Sequence, residues 1–396
     1  MSAHDNIPEG IGNLLFLHDN HFAISNCHAE FRTTTFHLFL QGFNGRAHLT
    51  SPSLDWDGVT TEITIDSVVV RPRRGYGRAS DFYRGFFRNS FFALRDIFRI
   101  LKNYDAIVIA GPCCAAPYAH FAAWVLGKSI VGYVIGDNHE VVAHSNEYRG
   151  VRRWLASITA RWEWAAMERI AKGHKTVALG ENIAKKLEKY KHNVTLGFTS
   201  LIRESQIISA KAFPQNSPPL LLTVCRLSQE KGVEWALRAV ALLKQQRVDV
   251  RYVVVGDGPE RERLVFLAEQ LSVLEQVDFV GVKKFQEVEA YYQSADMFIL
   301  PSYSEGVAKV LLEAMAARTP IIATNVGGNT WILGEDKRGY LVPVADAQAI
   351  VDSVIECIND TIGRESRLVQ ASDFIRQNSM EAAANKLFEV ITHEVK

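Results

Sequence analysis

Cysteine is scarce. Of 396 residues only five are cysteine, and Cys27, Cys113, Cys114, Cys225 and Cys357 form no Cys-x-x-Cys pair. An odd count without that spacing excludes a disulfide scaffold and a structural zinc, and reads as a reducing, cytoplasmic compartment. Excess charge of either sign is also missing. Lys plus Arg equals Asp plus Glu at 44 each, so no net field points to nucleic acid. The opening MSAHDNIPEG has no basic stretch followed by an apolar core, so no signal peptide is expected. One weakly charged stretch, IVIAGPCCAAPYAHFAAWVLG (107–127), has the length of a membrane span. Gly111-Pro112 and Pro117 interrupt it early, so a buried strand and then a buried helix are expected instead. No strand-like run leads into GxGxxG, which argues against a nicotinamide-dependent dehydrogenase.

What the chain does have is apolar residues, 47% against 22% charged, the balance of a folded globular protein. Its length accommodates two domains of ordinary size. Short β-branched runs alternate with helical patterns. They are NLLFL (13–17), EITIDSVVV (62–70), DAIVIAG (105–111), SIVGYVIG (129–136) and KTVALG (175–180) in the first half. In the second half they are LLLTV (220–224), VRYVVVG (250–256), VDFVG (277–281), MFILPS (297–302) and PIIAT (320–324). Runs apolar on both faces and separated by helices predict an α/β fold of parallel sheets covered on both sides. Proline and serine in FPQNSPP (213–219) mark a linker. We expect two Rossmann-like domains facing across a cleft, residues 1–210 and 211–380, with 381–396 a C-terminal helix returning to the first. Ligands of such sheets bind beyond the carboxyl ends of the strands.

The loops at those ends carry the candidate chemistry. LLLTVCRLSQEKG places Arg226 and Lys231 just past a strand, where two cations can neutralise a diphosphate without a metal. Solvated surface charges are the plainer reading. VVVGDGPE ends a strand in Gly256-Asp257-Gly258-Pro259, whose glycines suit either a structural turn or close backbone approach to a ligand. MFILPSYSEGVAKVLLEAMAA reads as a strand, a turn and a helix from Val307. The helix N-terminus around Gly306, Val307 and Ala308 offers unpaired N–H groups to an anion. Glu305 stands at its mouth, and Glu313 follows eight positions on. Two helical side chains so spaced differ by about 80° in azimuth and about 12 Å along the axis, too far to share a proton or a metal. The span suits the two ends of one extended polar ligand. Helix capping by Glu305 and ion pairing by Glu313 are the plainer alternatives.

CRLSQEKG, GDGP, SEGVAKVLLEAMA, TNVGG and GYLV, in this order across residues 219–350, resemble the retaining glycosyltransferases of family 4, which have the GT-B fold. The resemblance implies that Arg226 and Lys231 grip the diphosphate of a donor. It implies that Glu305, first glutamate of an E-x7-E motif, contacts the transferred sugar, and that Glu313 holds the nucleotide ribose. The implied donor is a nucleotide-diphosphate sugar, UDP or GDP, bound beside Gly256, Gly258, Gly306, Val307 and Ala308, with no cofactor and no metal. Two departures bear on the sugar. Val307-Ala308 stands where the family often has Phe-Gly, and Asn329-Thr330-Trp331 follows Gly327-Gly328 where many members read Ile-Pro-Glu.

In the first half the family usually has a Gly-Gly loop after the first strand, and this chain reads LHDNHFAISNCHAEF. His18, His21 and His28 fall within eleven residues yet fit no zinc spacing. A polar loop is expected there, with His18, Asp19 and His21 toward acceptor or sugar. The stretch from Asp105 looks like the N-terminal domain of exopolysaccharide-type members, in which a strand ends in Gly-Asp near the acceptor. By that likeness Asp137 and His139 face the cleft; a loop histidine satisfied by backbone is the plainer reading of His139. Asp55-Trp56-Asp57 has the Asp-x-Asp form of metal-dependent GT-A enzymes, but before Gly58 it reads as a surface turn. Residues 71–104 interleave phenylalanines with seven arginines before Ile97. Such a segment either lies on an anionic membrane surface to meet a lipid-linked acceptor, or packs its rings inward with its arginines in water.

The expected activity is retaining, metal-independent transfer of a hexose from a nucleotide-diphosphate sugar to a glycan or lipid-linked acceptor in cell-surface polysaccharide synthesis. Glu305, Arg226, Lys231 and His139 are the catalytic candidates. The partners are donor, acceptor and an inner-membrane surface on the cytoplasmic face, and nucleic acid is not among them. A UDP-sugar 2-epimerase shares the architecture. A sugar-nucleotide-binding subunit without catalysis is the third reading, kept open by Trp331 and the missing Gly-Gly loop.

Overall fold

A computed structural model describes residues 14–17, 22–25, 28–31, 47–53, 63–65, 68–74, 83, 85–138, 142, 151–197, 200, 202–305 and 308–395. The chain separates into two compact units, Met1–Thr199 with Met380–Lys396, and Ser200–Ser379.

The strands of the first unit are β1 (Leu14–Leu17), β2 (Phe22–Ser25), β3 (His28–Phe31), β4 (Ala47–Ser53), β5 (Ile63–Ile65), β6 (Val68–Arg74), β7 (Ala106–Gly111), β8 (Ser129–Val134), β9 (Thr176–Leu179) and β10 (Val194–Gly197). Its helices begin with α1 (Phe86–Leu101), α2 (Ala116–Leu126), α3 (Val151–Gly173) and α4 (Glu181–Lys186). The sheet runs β10-β9-β8-β7-β1-β4-β2-β3, with β6 joined to β4 and β5 to β6. β1 lies in its middle and is buried throughout, with Leu15 opposite His48 on one side and Ile107 on the other. Small residues set the packing distance of the helices. Ala116, Ala119, Ala122 and Ala123 form the buried face of α2. The 107–127 stretch is therefore β7 followed by α2, and no described helix is long and apolar enough to cross a membrane.

Two segments of this unit differ from expectation. EITIDSVVV is not one strand: β5 and β6 pair antiparallel, Ile63 opposite Val70 and Ile65 opposite Val68. The turn-prone pair Asp66-Ser67 lies between them in sequence, so the apolar run pairs with itself. The stretch after β1, expected as a polar loop, holds β2 and β3 in antiparallel register, Phe22 opposite Phe31. The alternating Phe22 and Ile24 are a strand signal that the neighbouring histidines obscured.

The second unit holds β11 (Leu220–Val224), β12 (Arg251–Val255), β13 (Val277–Gly281), β14 (Met297–Leu300), β15 (Ile321–Thr324) and β16 (Tyr340–Val342). Between them lie α5 (Val233–Gln245), α6 (Arg261–Gln270), α7 (Phe285–Ser294), α8 (Lys309–Ala316) and α9 (Gly328–Leu333), followed by α10 (Ala347–Asn359) and α11 (Thr361–Gln377). All pairs are parallel in the order β13-β12-β11-β14-β15-β16. This is the doubly wound order, and its topological switch point falls between β11 and β14. A polar pair inside the sheet is fully used: Tyr252 Oη donates to Thr223 Oγ1 at 2.8 Å, and Thr223 Oγ1 donates to the Ile299 carbonyl at 2.7 Å. FPQNSPP lies within this unit. It is tied down by buried Asp296, whose Oδ2 accepts from Leu220 N and Asn216 Nδ2, each at 2.8 Å.

The last helix, α12 (Met380–Val395), packs on β8 and β9 of the first unit. Glu394 fastens it there, within 3.1 Å of His174 Nδ1 and accepting from Lys175 N at 3.3 Å.

Candidate functional site

At the carboxyl end of β11 the chain runs against the loop that follows β12. Cys225 N donates to the Val255 carbonyl at 3.0 Å, Leu227 N to Asp257 O at 2.9 Å, and Glu260 N to Leu227 O at 3.0 Å. Both candidate glycines are explained by this lacing. Gly256 has φ +131, and a Cβ on it would fall 1.8 Å from the Cys225 carbonyl oxygen. A Cβ on Gly258 would lie 2.3 Å from the Leu227 carbonyl. No side chain fits where two backbones meet this closely.

A second approach aims Lys231. Gly232 is left-handed with φ +59, and a Cβ there would stand 2.2 Å from the Pro301 carbonyl past the end of β14. Tyr303 N bonds the Glu230 carbonyl at 2.8 Å. So held, Lys231 Nζ lies 2.8 Å from Glu305 Oε1, and the Ser302 hydroxyl donates to the same oxygen at 2.6 Å. The segment after β15 closes on the backbone of Glu305. A Cβ on Gly327 would sit 1.9 Å from the Glu305 carbonyl, which also accepts from Gly328 N at 3.4 Å. Segments after β11, β14 and β15 thus converge on one carboxylate at the switch-point edge of the sheet.

Arg226 lies in the same loop as Lys231 but is exposed. No ion pair or hydrogen bond to its guanidinium is found among the described residues. Its charge is felt by Glu230, whose carboxyl is held below the usual range, chiefly by the Ser228 hydroxyl, then by a backbone N–H, and least by Lys231 and Arg226. Glu313, on α8, is in different company. Burial raises its carboxyl above the ordinary value, with the Tyr292 hydroxyl beside it and Lys309 opposing the shift. That hydroxyl is itself buried and makes no well-formed hydrogen bond among the described residues. Glu313 and Tyr292 line a small hollow with Gln206, Gln293 and Ala316; Glu305 is not part of its wall.

The expected geometry of the two glutamates needs one correction. α8 begins at Lys309 with Ala308 as its N-cap, so Glu305 precedes the helix and the helical azimuth and rise do not apply to the pair. Glu305 is held out of the helix by its bonds to Ser302 and Lys231 and by the glycines at its carbonyl. It makes no capping hydrogen bond to α8. Gly306 and Val307 lie outside the described residues, as do His18, Asp19, His21, His139 and the Asp55–Asp57 stretch.

In the first unit Asp137 is not an open carboxylate. It forms an ion pair with Lys186 of α4 and is 8% exposed. One buried carboxylate of this unit was not anticipated from the sequence. Glu163 of α3 is 3% exposed and accepts from Tyr83 Oη at 2.7 Å, Asn138 Nδ2 at 2.6 Å and Cys114 Sγ at 3.2 Å. Its signal was legible, because Ala160, Glu163, Met167 and Ile170 make one buried helical stripe with a carboxylate in it. Trp331 packs edge-on to Phe374 with ring centroids 5.6 Å apart, a structural use for the aromatic at that position. Among the described residues no three His, Cys, Asp or Glu side chains converge as metal ligands do.

Comparison with known proteins bears on this arrangement. The solved Anabaena protein HepE in complex with UDP superposes with a TM-score of 0.63 at 15% identity, over 96% of this chain and all of that one (100%). The fold is GT-B. Within this GT-B chain, residues 204–373 match the family model described as "Glycosyl transferases group 1". That span contains Arg226, Lys231, Glu305 and Glu313 and leaves out Asp137 and Glu163. A Salmonella typhimurium protein named as the colanic acid biosynthesis glycosyltransferase WcaL is 34% identical over 178 residues, 43% of each chain. The amylovoran biosynthesis glycosyltransferase AmsK of Erwinia amylovora is 32% identical over 141 residues, 34% of this chain and 35% of AmsK. Both of these sequence alignments cover less than half the length of the relative.

Proposed function

We propose that the chain is a retaining, metal-independent glycosyltransferase that moves a hexose from a nucleotide-diphosphate sugar to a glycan or lipid-linked acceptor in cell-surface polysaccharide synthesis. The observation that carries the reading is the Lys231–Glu305–Ser302 cluster at the switch-point edge, inside the segment that matches group 1 glycosyltransferases. Relatives named for colanic acid and amylovoran synthesis support the product class. HepE, solved with UDP, supports a uridine nucleotide as the first donor to test.

In this mechanism the bond between the anomeric carbon and the diphosphate oxygen breaks while the acceptor hydroxyl bonds to that carbon on the same face and passes its proton to the departing diphosphate oxygen. Negative charge gathers on the departing diphosphate, so cations already in place there lower the barrier more than they favour the ground state. Lys231 supplies one such cation, and the exposed Arg226 is unencumbered to supply another. Glu305, freed from Lys231 by the phosphate, accepts from the sugar hydroxyls. Glu313 takes the ribose hydroxyls.

The test is a thermal-shift screen of UDP-, GDP- and ADP-sugars, followed by turnover of Lys231→Ala with the stabilising donor. Loss of one such donor should lower the rate about 10²–10³-fold. Undiminished turnover by Lys231→Ala refutes the diphosphate role. A sugar-nucleotide product formed without acceptor would point instead to 2-epimerisation.

A further inference from the structure

The outward side of α1 and α2 is unusual for a soluble surface. Phe87 is 88% exposed, Phe91 64% and Trp124 73%. On α1 the core-facing residues are Ala93, Ile97, Ile100 and Leu101, so the aliphatic side is already committed to the sheet. Phe87, Phe91 and Phe98 follow a separate helical stripe that also holds Arg95. The stripe continues onto the next helix. Phe98 meets Phe121 with ring centroids 6.3 Å apart, and Phe121 meets Trp124 at 6.1 Å. Of the two readings of residues 71–104, inward packing does not account for Phe87 and Phe91, which face outward.

The charge around these rings has one sign. Arg88 and Arg99 are exposed beside the stripe. The single carboxylate of α1, Asp96, is 2% exposed and clamped by Arg95 at 2.8 Å, and α2 has no acidic residue. Exposed rings flanked by guanidinium groups match the interface of an anionic bilayer, where aromatic groups sit at headgroup depth and cations meet lipid phosphate. A second copy of the chain is a poorer occupant, since a self-complementary contact would press Arg88 and Arg99 against their own kind.

We propose that the α1–α2 face docks the first unit on an anionic lipid surface. The surface is built from two helices, and its α2 half, Phe121 and Trp124, lies outside the arginine-rich stretch. It does not depend on the transferase reading.

The experiment is co-sedimentation of the full chain with vesicles of equal parts phosphatidylglycerol and phosphatidylcholine, and with phosphatidylcholine alone. Wild type should pellet with the mixed vesicles, release as salt is raised, and stay in solution with the neutral ones. Each arginine removed should weaken partition about fivefold, so Arg88→Gln with Arg99→Gln should weaken it about 25-fold. Phe91→Ser with Trp124→Ser should abolish most of the remaining binding without changing the melting temperature, because both side chains are exposed. The proposal is overturned if wild type ignores the mixed vesicles or if both double variants bind as well as wild type. It is equally overturned if wild type is a dimer that Phe91→Ser with Trp124→Ser converts to monomer.

Discussion

The contact between Lys231 and Glu305 lends itself to a quantitative test. Lys231 Nζ and Glu305 Oε1 are 2.8 Å apart, with side chains 22% and 9% exposed. At an effective dielectric constant of about 20 the gross attraction is about 6 kcal/mol, and desolvation of both ions takes back much of it. Replacing Lys231 with Met strands a carboxylate that water barely reaches, with Ser302 as its remaining donor. Breaking a fully buried pair costs about 3–5 kcal/mol, so this partly open one should cost about 2–4 kcal/mol. Glu305→Gln leaves Lys231 better able to find water and should cost about 1 kcal/mol. Urea unfolding of wild type, both single variants and the double variant closes a thermodynamic cycle. The expected coupling is about 1–2 kcal/mol, with the double variant less damaged than the sum of the singles. Additivity within about 0.5 kcal/mol refutes the pair as a formed interaction. Turnover should fall in all variants, so a stability cycle without coupling and an activity loss without instability are separable results.

Other perturbations have outcomes that the geometry sets. Gly256→Ala places a methyl 1.8 Å from the Cys225 carbonyl at φ +131 and should destabilise by about 3 kcal/mol or more in urea unfolding, whereas Ala at exposed Gly173 should not. Glu163→Ala leaves the Tyr83, Asn138 and Cys114 donors without their shared acceptor; at about 1–3 kcal/mol for a buried group so stranded, thermal unfolding should show a loss of at least about 2 kcal/mol, most of it recovered in Glu163→Gln. Glu313 titrates upward on folding because burial disfavours its charge. Its contribution to stability is therefore full below the unfolded carboxyl range and is lost as pH rises through the folded value. Glu313→Gln should raise the melting temperature more at pH 7 than at pH 4, and an equal effect at both refutes the burial account.

The second unit was the more readable half because its central strands are apolar on both faces, as LLLTV, MFIL and PIIAT show. Such runs have no alternative place in a soluble chain. EITIDSVVV misled because composition reports a tendency to pair, not the partner, and β5 and β6 chose each other. The glycines of GDGP were ambiguous for a similar reason. What a missing Cβ makes room for is supplied by a distant segment, here the carbonyls of Cys225 and Leu227. The phenylalanines of α1 were ambiguous as well, since helical periodicity separates two stripes without saying which of them meets the sheet.

By itself, then, the amino-acid order determined an α/β architecture and drew attention to Arg226, Lys231, Glu305 and Glu313, because hydrophobic period and turn chemistry act over a few residues. Only the tertiary structure decided that Glu305 stands before α8 and receives Lys231 and Ser302, that Glu313 lies apart beside Tyr292, and that Glu163 gathers three donors. Two of those contacts, Lys231 with Glu305 and Tyr83 with Glu163, join residues 74 and 80 positions apart, and no local pattern encodes such a meeting.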